Sequence, residues 1–429
     1  MQVSVETSKG LERRMRVQVP AEKIENEIEV RLRKVGQQAK IQGFRPGKVP
    51  PKVIKQRYGG QVRQEVVQEM VQSSYTEAVQ QEQLNPAGGP NIEPEALEEG
   101  KDLAYTAVFE VFPEFEVRGL AKIKLESPEV AIAEGDIEEM LDQLRKQRAD
   151  WAEVDRKACD DDQVTLDFTG TLKGEPFEGG SAENFSLVLG AGQMIEDFEK
   201  GLQGVQAGDE KSFKVKFPKD YHVDTLAGAK TEFAVKIHSV SEQVLPEVDD
   251  DFVKAYGIES GAIEDLRADI EKNMGREIEA KTRAEVKRQV MEGLAAQNPI
   301  EVPGVLVHEE AHSMQQEAMN RMGIQDQADA PSPDTFTEAA EQRVRLSLLL
   351  NQLVSENELQ VDSERVNEKV DELVAPYENP DEIRNMYMQN PQFRSQIENV
   401  VLEEQVVEWI QEQAKVSTKK ATFRELMDR

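Results

Sequence analysis

The sequence predicts a multidomain α+β protein with an N-terminal α+β domain, a compact antiparallel β domain carrying one helix, and an extended all-helical C-terminal part. Three observations carry that expectation. The chain has 429 residues, whereas a single soluble domain usually runs to about 100–200. Charged residues make up 31%, the apolar set 38% and aromatics 6%, too polar for one thick core and too apolar for outright disorder. Glycine and short β-type runs crowd between Asp155 and about Val244, while helical periodicity dominates from Pro246 onward.

Gln2–Thr7 and Glu12–Val19 alternate polar and apolar residues around Lys9-Gly10, the pattern of a hairpin. Ala21–Ala39 has helical spacing through Ile24, Ile28, Val30 and Leu32. The loop Ile41–Pro51 breaks it with two glycines and three prolines. A second helix is expected from about Val62 to Gln83, and the strand-like Leu103–Phe112 closes the first domain at Pro113. Leu120–Leu125 and Glu134–Trp151 read as a strand and a charged helix acting as a connector. Four strands follow, Val164–Phe168, Phe185–Leu189, Ser212–Phe217 and Thr231–Val240, with one helix at Met194–Gly201. Helices then continue to the C-terminus, interrupted at Asn298–Pro303, Gly323–Thr335 and Pro376–Pro380, as in antiparallel helical hairpins. The expected domains are therefore 1–112, a linker 113–150, 151–245 and 246–429.

Lys+Arg number 52 against 83 Asp+Glu, a formal net charge of −31. Met1–Arg63 nevertheless holds 15 basic and 6 acidic residues, a net of +9. Within it, Arg31–Arg63 contains ten basic residues and no acidic one. A solvated face explains most charge runs. It leaves a local reversal on an acidic body unexplained, and a basic patch of this kind suits a phosphate-rich partner such as a ribonucleoprotein. No run of 18 apolar residues occurs, so no membrane helix is expected. The first residues lack the apolar core of a secretory signal, and the single cysteine, Cys159, permits neither an intrachain disulfide nor a cysteine-based zinc cluster. A cytoplasmic setting without cofactor is the resulting expectation.

At the centre of the basic stretch lies Gly43-Phe44-Arg45-Pro46-Gly47-Lys48-Val49-Pro50. Glycines permit unusual backbone angles, prolines stiffen the loop, and Phe44 supplies an apolar anchor ringed by phosphate-seeking charge. An ordinary interhelical turn is the plainer reading. The loop resembles the G-F-R-x-G-x-x-P signature of the bacterial trigger factor family of ribosome-associated chaperones, with Gly43, Phe44, Arg45, Gly47 and Pro50 in place. The resemblance implies docking beside the peptide exit of the ribosome, on ribosomal protein and RNA, with Phe44, Arg45 and Lys48 as contacts.

The β domain contains Val164-Thr-Leu-Asp-Phe168-Thr-Gly170, then Gly174-Glu-Pro-Phe177-Glu178, then Phe185, Met194-Ile195, Phe198, Gly201-Leu202 and Tyr221. Such residues are usually core, but their number in about 90 residues leaves some to line a cleft. Their order resembles the FKBP-type peptidyl-prolyl isomerases, and so implies an FKBP-like half-barrel with one helix. By that resemblance the pocket comprises Phe168, Phe177, Glu178, Phe185, Met194, Ile195, Phe198, Tyr221, Leu226 and Phe233. Phe168 replaces the usual Tyr and Phe198 the usual Trp, which keeps the surface aromatic but speaks against strong binding of FKBP-directed macrolides. Isomerisation needs no nucleophile: the barrier is the loss of amide resonance, ~18–20 kcal/mol, and a dry pocket that favours the twisted amide lowers it. The Ile195 N–H and Tyr221 hydroxyl are candidate donors to peptide carbonyls.

His308-Glu-Glu-Ala-His312 matches the zinc-protease pattern H-E-x-x-H. The chain has four His, neither His222 nor His238 lies downstream, and Glu338 or Glu341 would have to complete the site, so a solvated helix is the better reading. The stripe Val307, Ala311, Met314, Ala318, Met322 sets the two His beside the buried face. Seven of the 13 methionines fall between Met274 and Met388. As adaptable side chains in thin helices they suit either gap-filling or partner surfaces. The C-terminal run through Trp409 to Val416 also resembles trigger factor, whose helical arms cradle unfolded chains. No phosphate-cradling G-x-x-x-x-G-K-[ST] loop is present. The sequence thus reads as an ATP-independent chaperone for nascent and unfolded polypeptides with an embedded prolyl isomerase, possible dimerisation away from the ribosome, and no membrane partner. A free-standing isomerase with accessory assembly domains is the alternative. The family's link to cell division has no counterpart in these residues.

Overall fold

A computed structural model describes residues 1–39, 44, 49–96, 101–218, 221, 225–326, 330–375, 377 and 379–428, with the side chains of Ala96 and Glu178 outside that description. The chain gathers into two units, Met1–Ser127 with Ala284–Thr418, and Pro128–Arg283 with Lys419–Arg429.

In the first unit β1 (Gln2–Thr7) and β2 (Glu12–Val19) form the expected hairpin. Gly10 turns it at a φ of 54°, a left-handed conformation that glycine adopts without Cβ strain. α1 (Ala21–Gln38) buries Ile24 and Ile28, but Val30 faces solvent. α2 (Pro51–Gln81) starts about eleven residues before the expected Val62. Pro51 occupies its first position, where a missing N–H costs nothing. The Gly59-Gly60 pair that obscured the pattern sits inside the helix despite a propensity cost of ~1 kcal/mol each. β3 (Asn91–Ala96) and β4 (Leu103–Glu110) complete an antiparallel sheet of order β1-β2-β4-β3. Pairing Val17 with Tyr105 and Met15 with Ala107 points one apolar row at the helices, where Val62, Val66, Met70 and Ala78 meet it.

β5 (Lys124–Val130) follows a short 3-10 turn at Leu120–Lys122, later than the strand expected at Leu120–Leu125. α3 (Glu134–Gln147) comes next. The stretch 113–150 is more than a connector: Ile123 and Leu125 are core residues in the first unit, Ile137 and Leu141 in the second.

The isomerase-like region lies wholly in the second unit. β6 (Asp150–Glu153), β7 (Gln163–Leu172), β8 (Glu175–Val188), β9 (Glu210–Lys216) and β10 (Lys230–Val244) form one antiparallel sheet of order β6-β10-β7-β8, with β9 also on β10. β10 alternates strictly, sending Thr231, Phe233, Val235 and Ile237 inward, and β7 does the same with Val164, Leu166 and Phe168. α4 (Glu196–Leu202) lays Phe198 and Leu202 on that inner face. It starts two residues after the expected Met194, which leaves Met194 and Ile195 in the preceding turn.

α5 (Asp250–Ala255) opens on Asp249, whose Oδ1 accepts the Phe252 N–H at 2.9 Å. α6 (Ile263–Gln297) contributes Leu266, Ile270 and Met274 to the second unit and Val286, Val290 and Leu294 to the first. α7 (Gly304–Met322), α8 (Thr337–Glu356), α9 (Ser363–Val374), α10 (Pro380–Gln389) and α11 (Pro391–Gln413) then belong to the first unit. The three expected breaks occur, along with three more at 256–262, at 357–362 and at Asn390. α8 and α11 close a core with α6 through Leu349, Leu353, Val406, Val407 and Ile410, while α9 and α11 form a smaller one from Val366, Val370, Val374, Ile397 and Val401. The chain does not stay helical to its end: β11 (Lys415–Ala421) pairs with β5 before α12 (Phe423–Met427).

Candidate functional site

Ten residues are expected to form one pocket, and the structure brings nine described side chains into a single apolar cluster; that of Glu178 lies outside the described residues. Phe168, Phe198, Leu226 and Phe233 are its buried floor, whereas Phe177, Phe185, Met194, Ile195 and Tyr221 are partly exposed around it. Most of the rings meet edge to face, as their quadrupoles favour, and the Phe168–Phe233 pair is tilted at 55°. Phe233 is the hub, with centroids 5.1 Å from Phe198, 6.0 Å from Phe168 and 6.1 Å from Phe177. Phe168 also meets Phe185 at 5.6 Å and Phe198 at 5.5 Å.

Two rings missing from the expected set belong to the same network. Phe217 stands 6.2 Å from Phe177 and 4.8 Å from Tyr221, and Phe213 stands 5.5 Å from Phe198. The signal was legible, since both lie on the inward side of an alternating strand with Val215 between them. An open cleft of about 310 Å³ adjoins this rim, lined by Ile195, Glu196, Asp197, Lys216, Phe217 and Pro218.

Glycines make the aromatic packing possible. A Cβ at Gly170 would stand 2.6 Å from Phe233, at Gly180 2.8 Å from Phe177, and at Gly201 2.3 Å from Phe213. The chain between β8 and α4 turns through Gly190 and Gly192, at φ of 86° and 68°. Ile195 then caps α4 with its carbonyl, which accepts the N–H groups of Phe198 at 2.7 Å and Glu199 at 3.2 Å. The Ile195 N–H itself has no acceptor among the described residues. Asp197 ties the helix to the strand below by accepting the Lys216 N–H at 3.2 Å.

At the other expected site, Phe44 is exposed and Pro50 caps α2 in an extended conformation. Gly43, Arg45, Gly47 and Lys48 lie outside the described residues. The neighbouring basic residues divide into two groups. Arg31, Arg33 and Arg63 are paired with Glu69, Glu29 and Glu25. Lys34, Lys52, Lys55 and Arg57 make no ion pair among the described residues. Among the described residues of this stretch, the positive charge free of ion pairs is thus smaller than the sequence count.

His308 and His312 are both exposed, not set against the buried face. Their Nε2 atoms stand 3.2 Å apart, and no group of three or more His, Cys, Asp or Glu among the described residues is arranged to hold a metal ion. The methionines divide as well: Met274, Met291 and Met319 are core, while Met322 and Met386 are more than half exposed. Met386 shares the outer surface of α9–α11 and their connections with Leu373, Tyr377, Phe393 and Val400. No helix among the described residues is long and apolar enough to cross a membrane.

Three family models match the chain in order. Residues 1–144 match the bacterial trigger factor protein, 154–238 the FKBP-type peptidyl-prolyl cis-trans isomerase, and 262–412 the bacterial trigger factor C-terminus. The trigger factor of Colwellia psychrerythraea is 46% identical over 431 residues, covering 100% of this chain and 99% of that protein. That of Thioalkalivibrio sulfidiphilus is 46% identical over 428 residues, covering 100% and 98%. A solved trigger factor chaperone, described for promiscuous substrate recognition in folding and assembly, shares the fold at a TM-score of 0.50 and 18% identity over 96% of this chain and 100% of its own. An isomerase domain embedded between two trigger factor segments excludes the free-standing alternative: the chain belongs to the bacterial trigger factor family, chaperones with an FKBP-type peptidyl-prolyl isomerase domain.

Proposed function

We propose that the aromatic cleft around Phe233 is the proline pocket of this isomerase, formed by Phe168, Phe177, Glu178, Phe185, Met194, Ile195, Phe198, Tyr221, Leu226 and Phe233, with Phe213 and Phe217 extending it. The observation that carries the reading is a rim of half-buried apolar residues over a buried aromatic floor, with the Ile195 N–H beside it lacking an acceptor among the described residues. The prolyl ring enters apolar surface and the Ile195 N–H holds a peptide carbonyl. Water exclusion removes the hydration that favours the planar, more polar amide. Each ~1.4 kcal/mol by which the twisted amide is favoured over the planar one speeds exchange about tenfold.

Segment 43–50 is the ribosome contact, through Phe44 and the charge of Arg45 and Lys48, near the peptide exit on protein and RNA. Its support is the exposed Phe44, flanked in the sequence by Lys34, Lys52, Lys55 and Arg57, which make no ion pair among the described residues. The outer apolar surface of α9–α11 receives nascent and unfolded polypeptides without ATP. The division is a docking module at 1–112, a joining segment at 113–150, the isomerase at 151–245 and the chaperone body at 246–429. The protein works in the cytoplasm, without cofactor, and forms a homodimer off the ribosome. Ribosome co-sedimentation of the full chain tests the docking claim. Replacing Phe44, Arg45 and Lys48 together by Ala should abolish it, and undiminished binding by that variant overturns the assignment.

A further inference from the structure

One charged side chain behind the pocket has no part in the reading above. Glu199, in the first turn of α4, is 9% exposed, and both of its oxygens are hydrogen-bonded to the main chain. Oε2 accepts the Gly190 N–H and Oε1 accepts the Met194 N–H, each at 3.1 Å. No ion pair to Glu199 occurs among the described residues. A carboxylate placed this deep without a cation must recover its lost hydration from hydrogen bonds, and it finds them at two points of one loop.

That loop is the turn from β8 to α4, and it delivers Met194 and Ile195 to the pocket rim. We propose that Glu199 is a positioning residue for isomerisation: its carboxylate clamps the two ends of the Gly190–Met194 turn, and so fixes the Ile195 N–H and the Met194 and Ile195 side chains over the aromatic floor. The inference rests on the assignment of this cleft as the proline pocket. Holding the Gly190 and Met194 amides on Glu199 leaves the next amide, that of Ile195, as a donor without an acceptor among the described residues. Gly190 and Gly192 allow the turn its left-handed angles, but glycines alone do not hold one conformation. Glu199 supplies the constraint. Its neighbour Glu196 is exposed and pairs instead with Lys200, without a bond to the Gly190–Met194 turn.

The test uses the full-length chain with Glu199→Ala, Glu199→Gln and, as a probe of the pocket itself, Ile195→Ala. Cis/trans exchange of a Phe-Pro tetrapeptide is measured at a temperature where circular dichroism shows every variant folded. Glu199→Ala should lower kcat/KM about tenfold or more, and the amide resonances of Gly190 to Ile195 should shift or broaden. Glu199→Gln, which retains one oxygen as acceptor, should recover part of the rate. A merely structural role would lower the melting temperature and leave the folded enzyme's kcat/KM and the loop amides unchanged, and that result overturns the inference. Should Ile195→Ala also leave exchange unaltered, the pocket assignment falls with it. If Ile195→Ala is impaired while Glu199→Ala is not, only the positioning role is lost.

Discussion

Gly170→Ala adds one methyl group beneath the aromatic cluster, and its consequences follow from distances. Gly170 sits on the inner face of β7, and a Cβ there would lie 2.6 Å from Phe233 Cε1 and 2.9 Å from Phe177 Cε1. Ordinary contact begins near 3.4 Å, so the Phe233 ring must retreat by about 0.8 Å. It has no free direction, because Phe168, Phe177 and Phe198 all contact it. Overpacking of this kind costs ~1–3 kcal/mol. For a domain of this size that corresponds to a fall of roughly 4–8 °C in melting temperature per kcal/mol. Displacing the hub ring also displaces the floor, so exchange of a Phe-Pro peptide should fall by an order of magnitude in variants that remain folded. Gly174→Ala is the matched control. Gly174 turns the β7–β8 hairpin at a φ of 91° with nothing within 4 Å of its Cβ. Strain there costs a comparable ~1–2 kcal/mol without moving a ring. Calorimetry and the peptide assay on both variants separate the two effects. Equal activities for Gly170→Ala and Gly174→Ala would refute the claim that these ring positions set the rate.

Two neighbouring tyrosines in the N-terminal domain should respond oppositely to loss of a hydroxyl. The Tyr105 hydroxyl donates to the Val71 carbonyl at 3.1 Å and meets Ser74 Oγ at 2.8 Å, so Tyr105→Phe should cost ~1–1.5 kcal/mol by urea titration. The Tyr75 hydroxyl is buried without a partner among the described residues, so Tyr75→Phe should be neutral or stabilising. Asp162 should make the isomerase domain acid-sensitive. Its carboxylate takes a two-pronged contact from Arg156, at 2.5 and 2.9 Å, and the Cys159 N–H at 2.8 Å. The Arg156 hydrogen bonds, ahead of the Cys159 amide, hold it below the usual carboxylate range. A folded value below the unfolded one gives stability that is present above the usual range and lost as pH falls through the lowered value. Asp162→Asn should therefore lower the melting temperature at pH 7 and flatten its dependence on pH below about 4.

Strict alternation made the strands of the isomerase domain readable, and the same alternation placed Phe168 and Phe233 on one face. The resemblance groups Met194 and Ile195 with the aromatic residues whose cluster they join, but it does not mark them as loop residues, because the start of a seven-residue helix leaves no periodic signal before it. Phe213 and Phe217 alternate with Val215 on the inward side of the expected strand Ser212–Phe217, so their place in the cluster was open to the same reasoning. Glu199 was hidden among many acidic residues, and only burial distinguishes it from Glu196. In the N-terminal domain Gly59-Gly60 concealed the first third of α2, where packing against α1, as of Ile54 on Gly36, outweighs the local propensity. β11, with the sequence KVSTKKA, is exposed along nearly its whole length, so it carries no apolar alternation to announce a strand. The basic run overstated the free charge, because Arg31, Arg33 and Arg63 already have acidic partners on α1 and α2.

Titration of the isotope-labelled chain with a Phe-Pro peptide, followed by amide and methyl resonances, tests the proline pocket most directly. The account predicts perturbations concentrated at Met194, Ile195, Phe217 and Tyr221, with exchange peaks linking the cis and trans peptide at substoichiometric protein. Perturbations centred instead on the outer face of the sheet, at Asp167 and Lys236, or exchange unchanged by the protein, would contradict it.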